Sequence, residues 1–272
     1  MRSDWNCALL QDVIAPSYAK LLLAVQADMG HAELYYQLWP QLRPAEPWGL
    51  LVDTLYESIL ASPVLRTEAN GGGWVSPTEA VFAEQAESDD EAVAAMHAAL
   101  LRSGMPLVTV PKGVHELLQH AARKKGVALT TANAKTVRQW LQGSMSRQEG
   151  LSRAEGEALL AHCLRDVATG SSFVGGATAK DLHGLKLVPL SDGSLGLIQA
   201  MGLASLEADP LLLCAPAERP LLERRSDLLV AAAPDEPLGR ALARVAATGQ
   251  TNVQSFGAAA LPALLPLLLP AA

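Results

Sequence analysis

Aromatic side chains make up only 4% of this 272-residue chain, so a core built here rests on Leu, Ala and Val rather than on large rings. Charged residues are also sparse, at 18% against 50% hydrophobic, which excludes a disordered polar chain. An excess of base is missing too. Lys and Arg number 21 against 28 Asp and Glu, giving a net charge of −7 and a pI near 5.4. A phosphate backbone is repelled by that balance, so no nucleic-acid partner is expected. The one concentrated basic run, Arg123-Lys124-Lys125, stands just before Gly126 at the end of a helical pattern, where cations complement the helix dipole and glycine closes the turn. The three cysteines, Cys7, Cys163 and Cys214, are odd in number and far apart. They form no disulfide framework and no zinc spacing, and they suit a reducing compartment, the cytoplasm. No long apolar core follows Arg2, and Asp4 and Asp12 come early, so no signal peptide is read. The longest uncharged stretch, residues 256–272, carries Pro262, Pro266 and Pro270 and falls short of the roughly 20 apolar residues that a membrane span needs. A buried terminal helix, or the cut edge of a longer chain, is the reading it receives, with a membrane-associated module through 256–272 as an alternative.

Helical patterns dominate what is present. Trp5, Leu9 and Val13 repeat at helical spacing until Pro16, and Tyr18, Leu21, Leu22 and Val25 do so until Gly30. Pro47 is placed to start a helix with Trp48, Leu51, Leu55 and Ile59 on one face. Ser76 with Glu79, Ser88 with Glu91, and Ser152 with Glu155 are spaced as capping boxes, in which hydroxyl and carboxylate satisfy each other's backbone amides. Asn133 and Gly143 bracket a further helix, and Asp235 and Gly249 another. Extended segments are expected at 64–67 and 74–75, at 107–110, at 228–233, and on either side of Asp192-Gly193, where a type I′ hairpin turn is expected. Residues 143–150 read as a linker, which divides the chain into 1–150, a helical region with a glycine-rich hairpin, and 151–272, a helix, the Asp-Gly hairpin and C-terminal helices. The fold class expected is α+β, mainly helical with small antiparallel β-hairpins.

The run Asn70-Gly71-Gly72-Gly73 raises the question of a phosphate cradle. A P-loop requires Lys after its last glycine, and none follows Gly73. A dinucleotide loop opens a helix, whereas Trp74-Val75 reads as extended. The run is therefore taken as a bend that Gly71, Gly72 and Gly73 permit and Trp74 anchors. After it, Ser76 and Glu79 cap a helix whose first residue is Pro77. Pro189, Asp192 and Gly193 set the second hairpin. Asp192-Gly193 does not fit D-x-G-x-G, because the glycines fall one and four places after the aspartate instead of two and four. His162 and Cys163 are adjacent, about 100° apart on a helix, so His162 is badly placed to deprotonate Cys163; Asp166, four residues on, reads as a surface contact to His162. His115 and His120 are five apart, where a helical metal pair needs four. Asp53 and Glu57 read as a solvated face and Asp89-Asp90 as a helix first turn. No residue is assigned a catalytic, cofactor-binding or metal-binding role.

Taken together, WNCALLQDVIAPSYAKLLL, YYQLWP, VLRTEANGGGWVSPTEAVF and LKLVPLSDGSLGLI resemble successive stretches of sacsin-type repeats, with a looser likeness through the helix at 152–168 to NVQSF near the end. The resemblance implies a large cytoplasmic protein whose repeats begin with a chaperone-type ATPase domain, linked to heat-shock chaperones and to filament upkeep. Neither the D-x-G-x-G loop nor the E-x-x-x-N helix of that ATPase occurs here, so the resemblance places this chain downstream of it. It implies a non-catalytic interaction or scaffold module that binds chaperones, unfolded or filament-forming clients, and neighbouring domains of a larger chain, with no cofactor. The alternative from a different class is a stand-alone enzyme using His162, Cys163 or Asp192.

Overall fold

The structure, a computed structural model, describes residues 57, 60–61, 63, 65–84, 91–110, 112–167, 177–201 and 209–257. The helices expected before residue 57, the cap at Ser88, Asp89-Asp90 and the stretch 258–272 lie outside the described residues. The fold is α+β. Its contacts divide it into two units, residues 1–87 with 100–132 and residues 88–99 with 133–272. Helix α1 (Glu91–Arg102) contributes to both. Among the described residues no helix is long and apolar enough to cross a membrane.

In the first unit, β1 (Leu65–Thr67) pairs antiparallel with β2 (Gly73–Val75), Leu65 opposite Val75 and Thr67 opposite Gly73. Leu65 and Thr67 are buried while Arg66 between them is exposed, the two-residue period of a strand with one covered face. Next comes β3 (Val81–Phe82), which lies between β4 (Leu107–Val108) and β5 (Thr130–Thr131) and runs parallel to both. This parallel pairing departs from the expectation of antiparallel hairpins alone. Strands this short show no periodicity, and a parallel strand is covered on both faces: Val81, Phe82, Leu107 and Val108 are all buried.

The helix expected after Ser76 does not form. Residues 77–79 make one turn, with Glu79 N and Ala80 N donating to Ser76 O, and the chain then enters β3. Val81 and Phe82 are a β-branched and an aromatic residue, and their pairing with two neighbours outweighs continuing the turn. Helix α2 (Lys112–Lys124) ends as expected of its basic run: Val127 N donates to Ala122 O and Gly126 N to Arg123 O, with Gly126 at φ +66°. Lys125 reaches Glu57 at 2.6 Å. Ala121 and Ala122 of this helix bury against Leu60 and Leu129.

The second unit opens with α3 (Ala134–Gln142), capped where Asn133 Oδ1 accepts from Thr136 N. A 3-10 turn (Met145–Gln148) follows, and Gln148 is buried in it. The stretch expected to be a linker is thus folded structure. Gln148 Nε2 donates to Leu141 O and Gly184 O, and its Oε1 accepts from Lys186 N. Helix α4 (Arg153–Cys163) carries the full capping box of Ser152 and Glu155.

Beyond it, β6 (Lys186–Pro189) pairs antiparallel with β7 (Leu195–Leu197), and β8 (Leu211–Leu213) pairs parallel with β9 (Val253–Ser255). Single bridges join these pairs. Leu190 meets Val230, Leu229 meets Leu212, and Ala200 meets Thr251. Following the hydrogen bonds from β7 through β6, 229–230, β8 and β9 to 200–201 closes a circuit. A closed circuit leaves few bare strand edges. The segment 228–233, expected as a strand, contributes only those bridges. Helix α5 (Pro237–Ala247) ends near Gly249, as its bracketing residues suggest. Leu212, Cys214, Leu222, Leu228, Leu229 and Phe256 form one buried cluster, which includes members of the circuit.

Candidate functional site

The glycine bend comes first because the sequence singles it out. Gly71 and Gly72 take φ of +87° and +96°, while Gly73 already belongs to β2. Gly72, with ψ 146°, occupies a region that is essentially glycine-only. Polar groups around the bend are engaged by the chain itself. Thr67 Oγ1 donates to Leu107 O at 2.9 Å and accepts from Ala69 N at 3.2 Å. Gly72 N donates to Ala69 O. Ser76 donates to Glu79 Oε2 from both its amide and its hydroxyl, and that hydroxyl bond is the main cause holding the Glu79 carboxyl below its ordinary pKa. Pro77 is buried in the same turn. Trp74, expected to anchor the bend, is instead 40% exposed on the outer strand, and buried Leu65 and Thr67 fasten the hairpin.

The second hairpin differs from the expected two-residue turn. Gly193 N donates to Leu190 O and Leu190 N donates to Ser194 O, so Ser191 and Asp192 are the central pair and Gly193, at φ +90°, is the bulge that follows. Three-residue loops of this kind match strand twist by placing glycine third. Asp192 Oδ1 accepts from the Ser194 amide and hydroxyl, and the hydroxyl bond leads in holding its pKa down. Pro189 O accepts from Ala231 N, one of the links in the β circuit.

His162 and Cys163 are both buried on α4. Burial pushes the Cys163 thiol up to about 12, so it stays protonated and unreactive. The first partner of Asp166 is an arginine, with His162 a lesser electrostatic influence. Both of its oxygens accept from the Arg138 guanidinium, Nη2 to Oδ2 at 2.9 Å and Nη1 to Oδ1. Arg138 Nη1 also donates to Cys163 O at 2.6 Å, so one side chain ties α3 to the end of α4. The hydrogen bond from Arg138 is the leading cause that lowers the Asp166 pKa. His115 packs edge-on to Phe82 with ring centroids 4.9 Å apart, and burial lowers its pKa. His120 is exposed on the same helix. Among the described residues no group of three or more His, Cys, Asp or Glu side chains is gathered as a metal site.

The structure adds a cleft of about 660 Å³ in the second unit, which the sequence reading did not find. Its walls include Arg138 with Asp166, the lysines Lys135 and Lys180, and Asp181 and His183. Asp181 Oδ2 accepts from the amide and hydroxyl of Thr178, as in a capping box. Ala200 N donates to His183 Nδ1 at 3.2 Å, which leaves the neutral ring's proton on Nε2. Met145, on the rim, is 47% exposed.

The buried polar residues that sequence reasoning missed include Arg138, Gln148 and Asn252. Arg138 left a trace. It stands at helical spacing with Ala134, Val137 and Leu141, all buried, so an arginine lies inside an apolar stripe. Asn252, 2% exposed, accepts from Gln199 N through Oδ1 and donates through Nδ2 to Leu197 O and Asp209 O. It begins NVQSF, but nothing local distinguishes it from a turn residue.

No family model matches the chain, and no curated protein or solved structure matches it either.

Proposed function

We propose that the chain is a non-catalytic interaction module of a sacsin-type chaperone system. On this reading it is a mainly helical, cytoplasmic scaffold that holds heat-shock chaperones, unfolded or filament-forming clients, and neighbouring domains of a larger chain. The observation that carries the reading is how its polar side chains are used. Glu79 and Asp192 hold turns, Gln148 and Asn252 tie separate backbone segments together, and Arg138 with Asp166 joins two helices. Each is committed to shape. The enzyme alternative would need a nucleophile, a base and an orienting group in mutual reach. Cys163 is buried with its thiol pushed up to about 12, and Asp166 is turned to Arg138.

Light scattering from a heat-labile test protein, warmed with and without an equimolar amount of the chain, tests the proposal. Suppressed aggregation is expected, and no protection overturns holdase action. Calorimetry with ATP supplies the second arm. Stoichiometric micromolar uptake that disappears in a Gly72→Val variant of retained fold would show that the glycine bend is a nucleotide site and remove the non-catalytic reading.

A further inference from the structure

The cleft in the second unit is rich in free donors, while its acceptors are largely taken. Lys135 and Lys180 are exposed and form no ion pair or hydrogen bond among the described residues. His183 presents its Nε2–H, because Nδ1 already accepts from Ala200 N. On the acceptor side, both oxygens of Asp166 are occupied by Arg138, and Asp181 Oδ2 is occupied by Thr178. The carbonyls of Asp181 and His183 accept from Gln142 Nε2, each at 2.7 Å. Cations outnumber carboxylates in the cleft: Lys135, Arg138 and Lys180 stand against Asp166 and Asp181. Two uncommitted ammonium groups, beside one carboxylate already paired with a guanidinium, are complementary to an anion.

We propose that this cleft holds the carboxylates of an acidic peptide segment on a partner protein, paired with Lys135 and Lys180. Two features favour carboxylates over phosphate. The guanidinium in the wall, the group best shaped to grip phosphate, is spent on Asp166, leaving ammonium and imidazole as donors. Met145 on the rim gives an apolar surface for a side chain next to the acidic ones, as a peptide provides and an inorganic ion does not. The volume of about 660 Å³ takes a few side chains, so the partner lodges a short motif there rather than a folded face. The inference rests on the interaction-module reading and gives that reading a partner chemistry.

Fluorescence anisotropy with the full chain and a labelled peptide of alternating Glu and Leu tests it, beside the same peptide with Gln for Glu. Binding of the Glu peptide is expected to weaken about tenfold in Lys135→Glu and again in Lys180→Glu. It is expected to weaken with added salt and to be undetectable for the Gln peptide. Lys186→Glu, outside the cleft, is expected to leave it unchanged. Lys135 and Lys180 are exposed, and a carboxylate in the first turn of α3 suits the helix dipole, so the variants keep the fold; circular dichroism verifies this. Equal affinity for both peptides, no binding of either, or binding indifferent to both lysine reversals overturns the proposal. So does inorganic phosphate displacing the peptide at micromolar concentration, which would assign the cleft to phosphate. If aggregation suppression survives while peptide binding fails, only this inference is lost; failure of both removes the module reading as well.

Discussion

The glycine bend of the first unit and two helix glycines of the second use the residue in opposite ways. In the bend of the first unit, a Cβ built on Gly71 meets nothing within 4 Å, and one on Gly72 meets only Thr67 O at 3.8 Å. Space is available there, and the backbone angle is what demands glycine. At two helix glycines of the second unit, Gly156 and Gly239, φ is not positive and the space is gone. A Cβ on Gly156 of α4 would lie 2.7 Å from the Leu195 side chain, and one on Gly239 of α5 would lie 1.8 Å from Ala233 O. The first use makes a turn. The second lets a helix touch what it packs on, α4 against the β6–β7 hairpin and α5 against the chain that leads into it. A glycine that makes a turn has room for a side chain and fails on strain, whereas a glycine packed on backbone, as Gly239 is, fails on a single methyl.

The largest effect expected from this contrast is at Gly239. Gly239→Ala drives a methyl into backbone at Ala233 and Pro234, neither of which can rotate away as a side chain would. A loss of at least ~3 kcal/mol is expected, toward the upper end for overpacking. Urea unfolding measures it, and limited proteolysis should show cleavage in 133–257. A midpoint unchanged from wild type would mean that α5 and residues 233–234 are not in contact as described.

Asn252 comes next. Asn252→Leu conserves approximate volume but leaves Gln199 N, Leu197 O and Asp209 O without their side-chain partner inside the β circuit. A loss of about 2–3 kcal/mol is expected from those stranded groups. Hydrogen exchange should accelerate at Gln199 and Leu211, whose amides bond Asn252 directly. Exchange that stays slow at both positions would show that the circuit does not depend on this side chain.

The glycine bend itself separates two neighbours that look equivalent in the sequence. Gly72→Val forces a β-branched residue to φ +96°, a cost of about 2 kcal/mol. Gly73→Val places the same residue in a strand, where nothing lies within 4 Å of its Cβ, and is expected to be neutral or slightly stabilising. Thermal unfolding of the two single variants decides the matter. Equal melting temperatures would contradict the assignment of the turn to Gly71 and Gly72.

These cases also mark what the sequence can carry. Interactions that close within three or four residues were legible. Ser152 with Glu155, Asn133 with Thr136, and Gly126 after its basic turn each occur where the pattern predicts. The Asp-Gly hairpin was found with its turn displaced by one residue, because Asp192-Gly193 serves a two-residue loop and a three-residue loop about equally well. Ser76 with Glu79 made its local bonds but not the helix, since the pairing of β3 with β4 and β5 depends on residues about 25 and 50 positions away. Arg138, Gln148 and Asn252 are the same case in side chains. Their partners lie up to 55 residues off, and the cleft beside Arg138 exists only once residues near 135, 166 and 180 have been brought together. A basic residue in an apolar helical stripe is the one signal that could have pointed there.

The smallest expected effect concerns that arginine and acid. Arg138 is 4% exposed, whereas the carboxylate it holds is 41% exposed, so solvent screens much of the pair's worth. The Asp166 pKa is lowered in the folded chain, chiefly by its hydrogen bond from Arg138. Its contribution is therefore present above the unfolded carboxylate pKa and is lost as pH falls through the lower folded value. In wild type, stability should drop as pH falls below about 4, with Asp166 accounting for less than about 1 kcal/mol of the change. Asp166→Asn removes that titration but keeps an oxygen acceptor for Arg138. Its unfolding free energy should therefore lie slightly below wild type at pH 7 and converge with it near pH 2. Parallel curves across that range would mean that Asp166 titrates alike in the folded and unfolded chain, and that the guanidinium bond does not hold its charge.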